Sequence, residues 1–294
     1  MADLSENMRV AAALTERGIR IFFRDRSSVL FSALSVLIVL VLYVTILRSS
    51  IVSGFDAYPG AAAMSDAWII AGLAGIVPVS SSVAAMSLIL KDRHTGALDD
   101  LRSAPVSSFS ITAGYLLSTF VIGLIMTFVF LILGEAFMFA SGHGFGAISM
   151  LQAAALMVPS VFSSCAFVFL VTALLRSKAA FDGFAAVLNV LIGFLTGTFV
   201  PIGYFSKGVQ SVLTFVPATH SAAVARDILG TPTLDDAFSA FGEVQEHRDL
   251  LGFDLYIGDW MVSPVFSISY LIGTGVVFFI IAGLLMRRQR GTQF

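Results

Sequence analysis

The chain is 294 residues long, 57% apolar and only 12% charged, with a formal net charge of −2 and 27 phenylalanines; its mean hydropathy is +0.92. A soluble domain does not have this composition, and the balance of charge offers nothing to a nucleic acid. The expected class is an all-α integral membrane protein.

Residues 1–28 come first. Projected at 100° per residue, Leu4, Met8, Ala11, Ala12, Ile19, Phe22 and Phe23 fall on one side of a helix, with Glu6, Arg9, Glu16, Arg17, Arg20 and Arg24 on the other. This predicts an amphipathic helix lying along the membrane surface, with Glu16 and Arg20 in the favourable acid-first i,i+4 order. Arg17, Arg20, Phe22, Phe23 and Arg24 are its candidate contact residues. Two readings are open: a topology anchor, or a docking surface for a partner subunit.

Residues 29–294 carry six apolar runs, at Val29 to Leu47, Ala67 to Leu90, Ile111 to Ala140, Ala147 to Leu175, Ala179 to Val200 and Pro264 to Met286. Each is close to the ~20 residues, about 30 Å of helix, that cross a bilayer. Lipid offers the backbone no hydrogen bonds, so the runs are predicted to be helices, six in number. With a cytoplasmic N-terminus, Arg9, Arg17, Arg20, Arg24, Arg26, Lys91, Arg93, Arg102, Arg176, Lys178, Arg287, Arg288 and Arg290 fall inside, and only Arg48, Lys207, Arg226 and Arg248 outside. That bias places both termini in the cytoplasm and the protein in the cell membrane. The first run is expected to stay as an anchor, because the segment before it is too long and too polar for a cleaved signal.

Between the second and third runs, residues 91–110 form the most polar stretch on the inner side. Gly96 breaks the incoming helix, Ala97 to Ser103 can form two turns with Leu98 and Leu101 on one side and Asp99 beside them, and Pro105 ends them. Further on, residues 201–262 join the fifth and sixth runs. Here Phe199, Pro201, Tyr204 and Pro217 punctuate a stretch beginning at Gly193 and reaching His220. An acidic insertion follows from Arg226 to Val262 and is expected to be a partly helical outward cap, with Leu234, Phe238 and Phe241 at helical spacing.

Taken in this order, the amphipathic N-terminus, polar loop with Gly, spaced leucines and Pro-Val-Ser, six spans and paired prolines resemble the membrane subunits of ABC exporters of the drug and polysaccharide export type, also called type V. The resemblance covers nearly the whole chain, although Lys91, Arg93 and Tyr115 stand where that family often has a Glu and a Lys. It implies that the 91–110 loop touches an ATPase through Gly96, Leu98, Asp99, Leu101 and Pro105. It also implies that Phe199, Pro201, Tyr204 and Pro217 belong to a re-entrant outer gate. Two copies of the ATPase, carrying ATP and Mg²⁺, and a second permease subunit, in a homodimer or heterodimer, are the implied partners together with membrane lipids.

The energy source can be argued from the residues as well. None of Lys91, Lys178 or Lys207 follows the glycine that a phosphate-binding loop requires, so no ATP site is expected in the chain. The one acidic residue well inside a run is Glu135, about 36 Å along the third from Ile111 and hence near the outer interface, where a structural or gate role outweighs ion coupling. His94, His143, His220 and His247 are expected in loops or near surfaces, and neither a zinc pair nor a serine-nucleophile turn is present. Ser80, Ser81 and Ser82 are expected to satisfy a kink at Pro78 or bond a neighbouring helix, Cys165 to pack, and the Gly193/Gly197 pair to serve packing within the subunit or at a dimer contact. The favoured function is ATP-driven export of a drug-like, amphipathic or lipid-like compound, leaning on the excess of Phe over Tyr and Trp. The alternatives are export of a polysaccharide or lipid-linked glycan, and a non-transporting anchor or sensor for an ATPase.

Overall fold

Ala67 to Leu90 contain no charged residue over about 36 Å of helix, and this segment forms the centre of the fold. The computed structural model describes residues 4–26, 29–30, 34, 38, 40–55, 58–175 and 177–290. In chain order its elements are α1 (Leu4–Arg24), a π-helical turn (Tyr43–Leu47), α2 (Arg48–Ser53), α3 (Ala61–His94), α4 (Ala97–Ser103), α5 (Ser108–Ala140), α6 (Ala147–Leu174) and α7 (Lys178–Leu195). Then come a 3₁₀ turn (Ile202–Tyr204), α8 (Lys207–Leu213), α9 (Pro217–Phe238), a second 3₁₀ turn (Ser239–Phe241), α10 (Val244–Leu251), the strands β1 (Leu255–Ile257) and β2 (Trp260–Val262), and α11 (Pro264–Arg290). Among the described residues, α3, α5, α6, α7 and α11 are each long and apolar enough to cross a membrane. The first expected span, Val29 to Leu47, lies partly outside the described residues.

α3 is buried on nearly every face, which explains a sequence apolar all round with no stripe. α5, α6 and α9 pack against it, and α7 touches it more lightly. Pro78 sits inside α3, and the serines after it turn inward as expected: Ser81 Oγ donates to Val77 O at 2.7 Å, Ser82 Oγ to Pro78 O at 2.6 Å, and Ser80 Oγ meets Asn189 Oδ1 of α7 at 2.9 Å. Cys165 is buried against Ser82.

α1 forms where expected, with Arg20 Nη2 2.6 Å from Glu16 Oε1, but its buried stripe differs. Ala11, Leu14, Gly18 and Phe22 face α5, whereas Met8, Ala12 and Phe23 are exposed. Contacts run in parallel from Asn7 with Ser110, through Leu14 with Gly114 and Gly18 with Ser118, to Phe22 with Ile122 and Met126. A β-carbon on Gly114 would lie 2.5 Å from that of Leu14, and one on Gly18 2.7 Å from that of Ser118. Small residues therefore let the two backbones approach, which a 100° projection scored on hydrophobicity undervalues. α1 thus runs alongside the N-terminal half of α5.

The region between α7 and α11 also differs from expectation. Pro217 occupies the first turn of a single 22-residue helix, α9, which continues into the acidic insertion. α9 runs antiparallel to α3, with Ala222 against Gly75, Arg226 against Gly72 and Ala237 near Gly60. Leu234 and Phe238 are buried, so their helical spacing marks core and not solvent. The rest of the insertion is α10 and a hairpin with Leu255 opposite Val262 and Ile257 opposite Trp260. Gly193 and Gly197 serve the subunit itself: a β-carbon on Gly193 would lie 2.3 Å from the Phe199 ring, and Gly197, at φ +67°, lies under Ile202.

Candidate functional site

The loop joining α3 to α5 is built on Gly96, whose φ of +82° lets the chain turn and start α4 at once. Asp99 N and Asp100 N both donate to Gly96 O, at 2.9 and 3.1 Å. α4 spans the residues expected, but the side it presents does not match. Leu98 is 3% exposed and part of the protein's own main core, with Leu101 packed against that core. Two long helices stand directly behind a seven-residue helix, and burying its leucines against them removes apolar area from water. Among the described side chains, Asp99, Asp100, Ser103, Ala104 and Pro105 are exposed. Ser107 then caps α5, its Oγ accepting from Ser110 N at 3.1 Å.

One turn before Gly96, Asp92 joins three helices. Its Oδ2 accepts from Arg17 Nη1 of α1 at 2.7 Å and from Tyr115 Oη of α5 at 2.6 Å, and its Oδ1 is 3.3 Å from Arg17 Nη2. The hydrogen bond to Asp92 raises the affinity of the Arg17 guanidinium for its proton. Arg17 thus bridges α1 to α3 and is half-buried. Arg20 and Arg24 remain exposed. Asp92 was not among the expected site residues, because in sequence it is one more charge in a polar loop.

The other end of α3 carries a matching arrangement. Asp66, buried, accepts from Arg48 Nε at 2.7 Å and Nη2 at 2.9 Å, and from Tyr43 Oη at 2.9 Å. The sequence signal was only an Asp at the edge of an apolar run. Glu135, half-buried near the end of α5, accepts from Phe145 N at 2.9 Å and so holds the turn into α6.

Around the α7 to α11 segment, Phe199 folds back onto α7 with its ring edge-on to Phe194, Pro201 leads into the 3₁₀ turn, Tyr204 is exposed, and Pro217 starts α9. Two histidines expected near surfaces are buried. His220 of α9 lies between Thr214 O and Ser267 Oγ, at 2.7 and 2.9 Å. His247 of α10 stacks on Phe238 at 3.6 Å between ring centroids, in a cluster with Phe55, Tyr58 and Phe241. Tyr58 Oη donates to Glu243, tying the segment before α3 to the cap. On the cap surface, Arg248 is bound by Asp254 and Asp227, and these hydrogen bonds, Asp254 first, hold its guanidinium more firmly protonated than usual.

These features define a multi-pass α-helical membrane protein with a short helix joining two of its longest helices and a further helix, α9, packed beside the central one. The chain belongs to the ABC-2 family of transporter proteins, whose model matches residues 53–284. No curated protein matches it significantly. It is therefore a membrane permease of an ABC transporter, the transmembrane component, and family membership implies association with an ABC ATPase. The match begins after α1, so the family assignment rests on α3 to α11 and not on the amphipathic helix.

Proposed function

We propose that this permease exports a drug-like, amphipathic or lipid-like compound across the cell membrane, as one of two permease subunits standing on two ATPase subunits that bind ATP and Mg²⁺. Both termini and α4 face the cytoplasm, and the α8 to β2 region faces outward, in keeping with the excess of Lys and Arg on the α4 side.

The observation that carries this reading is the construction of α4. Its leucines anchor it to α3 and α5, and Asp99 and Asp100 are exposed at its surface. A helix held that way moves as one body with two spans of 34 and 33 residues. The Arg17, Asp92 and Tyr115 contacts add α1 to the same body. ATP-driven closure of the ATPases against the acidic face of α4 turns this body, and α3 carries the movement to α9 and the outer mouth. The docking chemistry is electrostatic, with basic groups of the ATPase opposite Asp99 and Asp100, in place of the leucine contact that the resemblance implied.

The test is reconstitution of the permease with its ATPase in vesicles. Cargo-stimulated ATP hydrolysis with accumulation of the cargo supports export. Stable binding of the ATPase with no cargo movement under any tested amphiphile would instead make the chain an anchor.

A further inference from the structure

Arg226 is fully buried in α9, yet no carboxylate among the described residues pairs with it. Its neighbour in sequence, Asp227, is drawn to Arg248 instead, at 2.6 Å. The guanidinium donates from Nη1 to Gly252 O at 3.2 Å and from Nη2 to Thr196 O at 3.0 Å and Thr198 Oγ1 at 3.4 Å. Nε has no partner. Thr196 is the C-cap of α7 and Gly252 the C-cap of α10, so the positive charge is balanced only by the partial negative charge of two helix C-termini and by the face of Trp68, 5.5 Å away.

That is incomplete compensation for a buried cation, which ordinarily holds a full anion. The acceptors also come from separate pieces: the end of the fifth expected span and the outward cap. Trp68 Nε1, donating to Leu251 O at 2.8 Å, pins the same cap turn. Any parting of α7 from the cap takes Thr196 and Thr198 away from Arg226 and leaves Gly252 O as its remaining hydrogen-bond acceptor. Arg226 lies beside Gly72, six residues and about 9 Å along α3 from Asp66. That is the depth at which headgroups meet acyl chains if Asp66 marks the outer surface.

We propose that Arg226 is a receptor for the anionic head, phosphate or carboxylate, of an amphiphilic cargo, occupied in this structure by the protein's own helix ends. The proposal deepens the export reading and rests on it for the identity of the ligand as cargo. On opening of the mouth the head takes the place of the Thr196 carbonyl and Thr198 hydroxyl through charge-assisted hydrogen bonds, which are stronger than those it displaces, and the acyl chain stays in the bilayer.

The experiment uses the permease with its ATPase in zwitterionic nanodiscs, and hexadecyl phosphate, hexadecanol and inorganic phosphate as probes. In the wild type and in Arg226→Lys, hexadecyl phosphate stimulates ATP hydrolysis at a half-maximal concentration at least about fivefold below that of hexadecanol, and Arg226→Gln erases the difference. No preference in the wild type, an undiminished preference in Arg226→Gln, or equal stimulation by inorganic phosphate would overturn the proposal. If Arg226→Gln does not fold, the Trp260→Phe variant leaves Trp68 as the remaining one of 2 tryptophans. Hexadecyl phosphate then shifts its emission and hexadecanol does not; an unmoved emission overturns the assignment. Because the Trp68 readout needs no ATPase, a failure of the export reading, seen as absent ATPase binding or hydrolysis, is distinguishable from a failure of the site.

Discussion

Arg17 Nη1 of α1 lies 2.7 Å from Asp92 Oδ2 of α3, a contact between residues 75 positions apart beside the α4 loop. The carboxylate is nearly buried and the guanidinium about one-third exposed, so removal of the cation leaves a charge that only Tyr115 still satisfies. Arg17→Met is expected to destabilise the protein by ~1–3 kcal/mol, seen as a lower thermal midpoint in detergent. The double variant Arg17→Met/Asp92→Met recovers part of the loss, because no buried charge is left behind. An unchanged midpoint in the single variant would show that the pair holds nothing together.

The two faces of α4 give opposite expectations. Leu98→Asp places a carboxylate in the main core, a cost of several kcal/mol, and little folded protein is expected to reach the membrane. Asp99→Lys/Asp100→Lys changes only exposed positions, so the variant reaches the membrane at a normal level but loses the co-purifying ATPase. Membrane yield and pull-down separate the outcomes; a well-folded Leu98→Asp variant that loses the ATPase would restore the leucines as the docking surface.

This division shows what the sequence could and could not reveal. Gly96, the leucine spacing and Pro105 mark the bounds of α4 because helix stops are local chemistry. Which neighbour covers Leu98 is a tertiary fact, and apolar spacing reads the same whether the cover is an ATPase or the protein's own spans. Arg226 shows the same limit. The charge distribution counts it as an outside charge, since a helix with Ala218, Ala222, Ala223 and Ala225 is not apolar enough to register as buried. Asp66 and Asp92, at the ends of α3, each depend on a partner that only the fold supplies.

The glycines of α7 are expected to behave differently. A β-carbon on Gly193 meets the Phe199 ring at 2.3 to 2.6 Å, so Gly193→Ala should cost ~1–3 kcal/mol through displacement of Phe199. Gly183 has nothing within 4 Å of its added carbon, and Gly183→Ala should gain about 0.5–1 kcal/mol from helix propensity. Thermal midpoints decide both; a destabilising Gly183→Ala would reveal a partner helix at that face.

Orientation is read with single cysteines after Cys165→Ala. A cysteine at Ser103 is expected to resist an impermeant thiol reagent in intact cells and one at Ser239 to react, since both positions are exposed on opposite ends of the molecule. Labelling at Ser103 in sealed cells reverses the orientation.

The central claim is that this permease converts ATP hydrolysis on a separate subunit into cargo movement through the acidic face of α4. Its most direct measurement is uptake of a fluorescent amphiphile by inside-out proteoliposomes containing the permease, its ATPase and Mg²⁺-ATP. The account predicts ATP-dependent accumulation with the wild-type complex, none with the permease alone, and none with Asp99→Lys/Asp100→Lys even when the ATPase is supplied in excess. Undiminished ATP-driven accumulation by that double variant would contradict it.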